Sequence, residues 1–159
     1  MQNQFLPSKR FQMMVTACVL SVLNVPISYQ SLQVNNAHAA TPIAEDIPHT
    51  KDSLSEVKAK VESKSAALLD IRELSEWNEG HLKSASLVPL SELQKAKPSA
   101  KVQAILNGLD KDEPVYFHCR SGRRVLVAAP LLKKMGFDVR PLKAGFDELR
   151  KNGFEVAKP

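Results

Sequence analysis

Residues 114–132 read PVYFHCRSGRRVLVAAPLL and place one cysteine between two regular elements. The apolar run 114–117 is typical of a short buried strand, and the run 125–132 is typical of a helix. Cys119 therefore stands where a strand end meets a helix start. Backbone N–H groups converge at such a junction and the helix dipole adds partial positive charge, so an anion is stabilised there.

The composition of this loop favours a reactive thiol. Three arginines lie within five residues of Cys119, and an anion is their natural partner. Gly122 can take a positive φ, which suits a loop whose amides all turn inward. We therefore predict that Cys119 is held largely as a thiolate. The alternative is a small cysteine packed as a hydrophobe and followed by a solvated basic turn.

Short apolar runs alternate with helical segments along the rest of the chain. The predicted strands are 66–70, 85–88, 114–117 and 137–140. The predicted helices are 54–63, 74–79, 91–96, 101–106, 125–135 and 146–151. This alternation predicts a small α/β domain: an open, mostly parallel sheet of about five short strands with helices on both faces. Ligands of such sheets bind beyond the carboxyl ends of the strands. Asp70 and Cys119 both stand at such ends, so we expect them at one edge.

The N-terminal segment has the layout of a secretory signal peptide. Lys9 and Arg10 precede a mostly apolar run, 11–27, and a small-x-small site follows at 37–39. A membrane anchor is the alternative, but the run contains polar residues and is shorter than the roughly 20 residues that a spanning helix needs. A second alternative is a lipoprotein acylated at Cys18, because residues 15–18 resemble a lipobox.

These features predict the organisation of the chain and its location. We expect a cleaved leader over residues 1–39, a tether over 40–48 and one folded domain over 49–159. The protein is then exported to the periplasm or secreted, with no stable membrane insertion after the leader is removed.

Charge and cysteine content limit the function classes. The net charge of +5 falls to +3 without residues 1–39, with 20 basic and 17 acidic side chains left. This excess is too mild, and too poor in interleaved aromatic residues, to favour a nucleic-acid partner. The mature chain holds one thiol, which cannot form an internal disulfide. His49, His81 and His118 are scattered, so we predict no metal and no cofactor. The oligomeric state is left open.

Four segments, in order, resemble the rhodanese sulfurtransferases, and the resemblance covers roughly residues 49–156. Leu69–Glu73 is similar to the Asp-x-Arg segment of that family, and Glu79–Ala85 to its Gly-His segment. Cys119–Arg124 is similar to its Cys-x-x-Gly-x-Arg active-site loop, and Leu142–Phe146 to its closing Gly-Gly segment. Ser84 and Ala144 replace glycines that are usual there, and both lie away from the loop.

The resemblance implies a small rhodanese-like domain and a sulfur-transfer reaction. A donor such as thiosulfate would give its outer sulfur to Cys119, and the resulting persulfide would pass it to cyanide or a thiol. The donor and acceptor are then small molecules. The catalytic residue is Cys119, with Asp70 and Arg72 as support of the loop. The predicted substrate-binding residues are Arg120, Ser121, Gly122, Arg123 and Arg124, of which Arg124 is also expected to brace the loop through Asp70 or Glu73.

Two other functions are compatible with the architecture. Phosphatases and arsenate reductases of this architecture have five residues between cysteine and arginine, whereas Arg124 follows Cys119 after four. The shorter loop suits one sulfur atom better than a phosphoryl group. The second alternative is a binding module that docks partners without catalysis.

Overall fold

The computed structural model describes residues 46–157. The expected leader, the alternative acylation site at Cys18 and most of the expected tether lie outside these residues. Among residues 46–157, no helix is both long enough and apolar enough to cross a lipid bilayer.

The described chain alternates helices and strands, as the sequence predicts. The strands are β1 (Ala67–Asp70), β2 (Ser86–Leu87), β3 (Pro114–His118) and β4 (Asp138–Pro141). The helices are α1 (Leu54–Glu62), α2 (Leu74–Asn78), α3 (Leu90–Leu93), α4 (Ala100–Asn107), α5 (Arg123–Lys134) and α6 (Phe146–Lys151). Each predicted element is present, with ends that differ by a few residues at most.

The strands form one parallel sheet in the order β2-β1-β3-β4. Asp70 at the end of β1 pairs in register with His118 at the end of β3, so the predicted common edge is confirmed. The described sheet has four strands rather than about five. A further pairing exists only as an isolated antiparallel bridge between Leu82 and Val156, because a turn at residues 83–84 ends that extended segment.

Successive side chains of a strand point to opposite faces, and this divides the core in two. Phe117 and Cys119 pack on one face with α3, α4 and α5. Tyr116 packs on the other face with residues of α1 and α6. Helices therefore cover both faces, and the side chains of His118 and Cys119 are directed to opposite sides of the sheet.

Local signals explain where two of the helices begin. The capping box at Ser53 and Glu56 is present, and it satisfies amides at the start of α1. Helix α5 begins at Arg123, two residues before the apolar run that predicts it. The reason is Gly122, which takes φ +76° as the N-cap residue and turns the chain directly into the helix.

Candidate active site

Cys119 lies immediately after β3 and under the first turn of α5. Its side chain is fully buried and belongs to the core cluster that also contains Val125 and Ala128. A reagent can reach the sulfur only through the surrounding loop, because the sheet and α5 enclose its other sides.

The loop of residues 119–124 leaves its amides available. Among residues 46–157, no group accepts a hydrogen bond from the backbone amides of residues 120–124. Several unpaired N–H groups at a helix N-terminus form a concavity that binds anions. The geometry of this loop is therefore that of an anion cradle.

Close backbone packing fixes the outer wall of the loop. A Cβ at Gly145 would overlap the carbonyl of Arg120, and a Cβ at Gly122 would overlap the carbonyl of Lys143. Only glycine permits these approaches, so the segment 143–145 lies directly against the loop. The glycine retained in the Gly-Gly-like segment is the one that the packing requires.

Two carbonyls of the loop are held from outside. The amide of Phe146 donates to the Cys119 carbonyl at 3.0 Å, and Nδ1 of His118 donates to it at 3.3 Å. Nε2 of His49 donates to the Gly122 carbonyl at 2.8 Å. The N–H and C=O of a trans peptide point in opposite directions, so these bonds also set the directions of the amides of Arg120 and Arg123.

Arg124 forms a bidentate ion pair with Glu76 of α2. Nη1 donates to Oε2 at 2.6 Å and Nη2 donates to Oε1 at 2.7 Å. The predicted partners, Asp70 and Glu73, are wrong: Asp70 pairs with Arg72, and Glu73 accepts from the Ser91 hydroxyl. Glu76 stands one helical turn beyond Glu73, which brings its carboxylate under the first turn of α5.

This pair is electrostatically coupled to the cysteine. The hydrogen bonds from Arg124 lower the pKa of Glu76 to about 2, against partial burial. The hydrogen bonds to the Glu76 carboxylate raise the pKa of Arg124, and a charge interaction with Cys119 adds to that rise. Arg124 is therefore a cation that Glu76 holds beside the cysteine.

Arg120 and Arg123 differ from Arg124. Both are exposed, and among residues 46–157 neither guanidinium has a hydrogen-bond or ion-pair partner. Arg120 and the exposed Ser121 also line a groove of about 870 Å³ that runs between α1 and α6. The loop thus presents two unpaired cations to solvent at its mouth.

Asp70 and Arg72 form a buried brace on the face opposite the sulfur. Nη2 and Nε of Arg72 donate to the Asp70 carboxylate at 2.7 and 2.9 Å, and Nη2 also donates to the Gly80 carbonyl. The guanidinium stacks 4.2 Å from the ring centre of Phe146. The structure therefore joins these two residues to the loop through the Phe146 amide rather than by direct contact.

His118 occupies the space between this brace and the sheet. Its side chain is completely buried, and burial lowers its pKa despite the neighbouring Asp70 carboxylate. Nδ1 carries the proton because its partner is a carbonyl. Nε2 lies 3.7 Å from Asp70 Oδ2 and has no hydrogen-bond partner among the described residues. The His118 side chain therefore lies beside Asp70, on the face of the sheet opposite the sulfur.

His81 and Trp77 lie outside the loop. Nδ1 of His81 donates to the Trp77 carbonyl at 3.2 Å, so the His81 side chain closes the turn that follows α2. Trp77 is partly exposed and stacks on the His81 ring with centres 3.7 Å apart. A five-residue helix with no buried residue leaves its tryptophan at the surface.

Sequence reasoning missed two residues of the site, Glu76 and His49. Glu76 meets Arg124 across 48 residues of sequence, so its role depends on how α2 is placed against α5. No local signal identifies His49, since its partner Gly122 is 73 residues away. No group of three or more His, Cys, Asp or Glu side chains in the described part of the chain is arranged to hold a metal ion.

The described domain is similar to a known domain family and to several known proteins. The model of the rhodanese-like domain matches residues 53–152. The "Putative sulfur carrier protein YrkF" of Bacillus subtilis is 36% identical over 86 residues, which are 54% of this chain and 42% of that protein. The "Putative thiosulfate sulfurtransferase, mitochondrial" of Schizosaccharomyces pombe is 32% identical over 78 residues, 46% of this chain and 55% of that protein. The chain thus spans only about half of each of these relatives.

A solved structure has a similar fold over nearly its whole length. The human single-domain sulfurtransferase TSTD1 superposes with a TM-score of 0.54 and 26% identity, covering 66% of this chain and 96% of the human one. The region that the family model matches, residues 53–152, contains the complete loop of residues 119–124.

Proposed function

The chain belongs to the rhodanese-like domain family, and we propose that it is a sulfurtransferase in which Cys119 carries the transferred sulfur as a persulfide. The observation that carries the proposal is the position of the Cys119 thiol, inside a loop whose amides are free and whose mouth bears two unpaired arginines. The names of the relatives, a sulfur carrier and sulfurtransferases, support the same reaction class.

The first half-reaction loads the cysteine. The Cys119 thiolate attacks the outer sulfur of an anionic donor such as thiosulfate, and a new S–S bond forms. The S–S bond of the donor breaks, and its electron pair leaves with sulfite. Arg120 and Arg123 would bind the dianionic donor and stabilise the departing sulfite, because their guanidinium groups are exposed and unpaired.

The second half-reaction transfers the sulfur from Cys119 to the acceptor. A cyanide ion or a thiolate attacks the outer sulfur of the persulfide, and the bond between that sulfur and Cys119 breaks. The electron pair returns to Cys119 and restores the thiolate, so the cycle needs no external oxidant or reductant. Between the two steps the anionic persulfide would be held by the amides of the loop and by the fixed charge of Arg124.

Burial of Cys119 restricts the donors. The side chain has no exposed surface at rest, so the attacking and leaving groups must pass through a six-residue ring of backbone. A slender donor with a terminal sulfur fits this entrance better than a bulky one. A phosphoryl group, with oxygens around a central phosphorus, needs the wider ring that the phosphatase class has.

Mass spectrometry of the intact protein tests the proposal. After incubation with thiosulfate, the wild-type protein should gain the mass of one sulfur atom, and added cyanide should remove it while thiocyanate forms. The Cys119→Ser variant should stay folded and gain nothing.

The two alternatives give different results in the same experiment. If the folded wild-type protein gains sulfur neither from thiosulfate nor from a small persulfide, the result favours a binding module. Turnover of an aryl phosphate that disappears in Cys119→Ser would favour the phosphatase class.

A further inference from the structure

The carbonyl of Gly122 is bound in a way that distinguishes α5 from the other helices. In the five other helices of residues 46–157, the N-cap carbonyl accepts from the backbone amide four residues later, as Ser53 does from Val57. The Gly122 carbonyl accepts from the side chain of His49, with Nε2 and oxygen 2.8 Å apart. A carbonyl oxygen only accepts, so Nε2 of His49 carries the proton.

His49 is itself held in place at this edge of the sheet. The amide of Thr50 donates to the carbonyl of Pro141 at 2.8 Å, which fixes the segment beside the end of β4. Ile47 packs against the core cluster that contains Cys119. The matched family domain begins at residue 53, so His49 comes from a segment upstream of it.

Gly122 needs an external partner because glycine does not fix its own backbone. It adopts φ +76°, and without a Cβ its ψ is less restricted than that of another residue, so the peptide between residues 122 and 123 can tilt. A full reversal would force a positive φ on Arg123 at the start of α5, but a tilt is enough to turn the Gly122 carbonyl and the Arg123 amide away from their present directions. The anion cradle would then lose the alignment of one donor.

We propose that His49 is a positioning residue for sulfur transfer: by holding the Gly122 carbonyl outward, it keeps the Arg123 amide directed at the sulfur of Cys119. His49 does not contact the reacting atoms; it acts through one planar peptide. A net hydrogen bond of about 1 kcal/mol shifts the balance between the aligned and the tilted peptide by roughly fivefold.

The first test measures the thiol itself and does not depend on the proposed function. The rate of alkylation of Cys119 by iodoacetamide is followed from pH 4 to pH 10 in wild type, His49→Ala and His49→Gln. Loss of one oriented N–H donor should move the midpoint of the pH–rate profile of His49→Ala upward by about half to one unit. His49→Gln retains an N–H donor and should return most of the way to wild type.

A matched control separates positioning from general destabilisation. Val61 is buried in the core cluster on the other face of the sheet, and Val61→Ala should lower the melting temperature without moving the alkylation profile. A His49→Ala profile identical to that of wild type, or one that moves no further than that of Val61→Ala, would overturn the proposal. Failure of Gln to restore the profile would overturn it equally.

The second test uses turnover and rests on the proposed function. Because His49 lies outside the loop, His49→Ala should lower kcat with thiosulfate by roughly fivefold and change KM by less than about twofold. A change in KM alone would contradict positioning. If wild type transfers no sulfur while the alkylation profile still moves in His49→Ala, the proposed function fails and the positioning role of His49 stands.

Discussion

Replacement of Glu76 by glutamine should destabilise the protein in a manner that depends on pH. The carboxylate of Glu76 accepts two short hydrogen bonds from Arg124, and these lower its pKa from 4.5 to about 2. A difference of that size between the folded and unfolded states corresponds to roughly 3 kcal/mol of stability at neutral pH. Glu76 and Arg124 are 19% and 29% exposed, so screening by water reduces this to about 2 kcal/mol.

The sign of the pH dependence follows from the lowered pKa of Glu76. A carboxyl group whose pKa is lower in the folded state contributes its full stability above the unfolded value and loses it as the pH falls toward the folded value. The difference in unfolding free energy between wild type and Glu76→Gln should therefore be largest at pH 6–7. It should fall to less than half of that by about pH 3.

Thermal unfolding followed by circular dichroism measures this effect. At pH 7, Glu76→Gln should melt about 8 °C below wild type, taking roughly 4 °C per kcal/mol for a domain of this size. The matched control is Glu62→Gln, which removes an ion pair to Lys58 in which Glu62 is 57% exposed. Exposed pairs contribute less than about 1 kcal/mol, so this variant should stay within about 4 °C of wild type.

Two results would refute the reasoning. One is a Glu76→Gln variant that melts no lower than Glu62→Gln at pH 7. The other is a melting difference from wild type that stays constant down to pH 3. A further check uses Arg124→Ala: adding Glu76→Gln to it should lower the melting temperature much less than Glu76→Gln does in wild type, because the pair is already broken.

The remaining predictions concern the loop mouth, its packing and the leader. Arg120→Ala and Arg123→Ala should each lower kcat/KM for thiosulfate about tenfold or more. Their melting temperatures should stay within about 2 °C of wild type, since neither guanidinium has a partner in the described residues. A wild-type kcat/KM in both variants would contradict donor binding by these arginines. Gly145→Ala should lower the free energy of unfolding by more than about 2 kcal/mol, because the new Cβ overlaps the Arg120 carbonyl. In the control Gly108→Ala the new Cβ meets nothing closer than 3.4 Å, so this variant should melt near wild type. Equal melting temperatures of the two variants would show that the loop backbone can move to accommodate the Cβ. Export remains a prediction: N-terminal sequencing of the mature protein should begin near Ala40, and a start at Met1 would contradict it.

The fold was predictable because its signals are local. Four apolar runs are short enough to be strands and are separated by segments with helical periodicity, which leaves a parallel α/β sheet as the simple arrangement. The capping box at Ser53 marks the start of α1 in the sequence, whereas Gly122 starts α5 two residues ahead of the apolar run that predicts it. The number of strands was less predictable, because the pairing of Leu82 with Val156 joins distant segments over a single bridge.

The nucleophile was predictable for the same reason, whereas its supports were not. Cys119 and the arginines around it follow one another in the chain, so a strand-loop-helix pattern is enough to group them. Glu76 and His49 reach the loop across 48 and 73 residues. The sequence favours Asp70 or Glu73 as the partner of Arg124. The partner is Glu76 because α2 and α5 are placed so that the Glu76 carboxylate meets the Arg124 guanidinium.

The division of the sheet into two faces explains why the loop needs supports from so many places. The sulfur of Cys119 lies on the face of α5, but the carbonyl of the same residue is held by the amide of Phe146 and by His118, which belong to the other face. The peptide between Cys119 and Arg120 is therefore held by contacts on both faces of the sheet. A change in the packing of either core would move one of these contacts, so the direction of the Arg120 amide depends on both cores. The close contact at Gly145 has the same origin, because α6 must approach the loop backbone before the Phe146 amide can reach the Cys119 carbonyl.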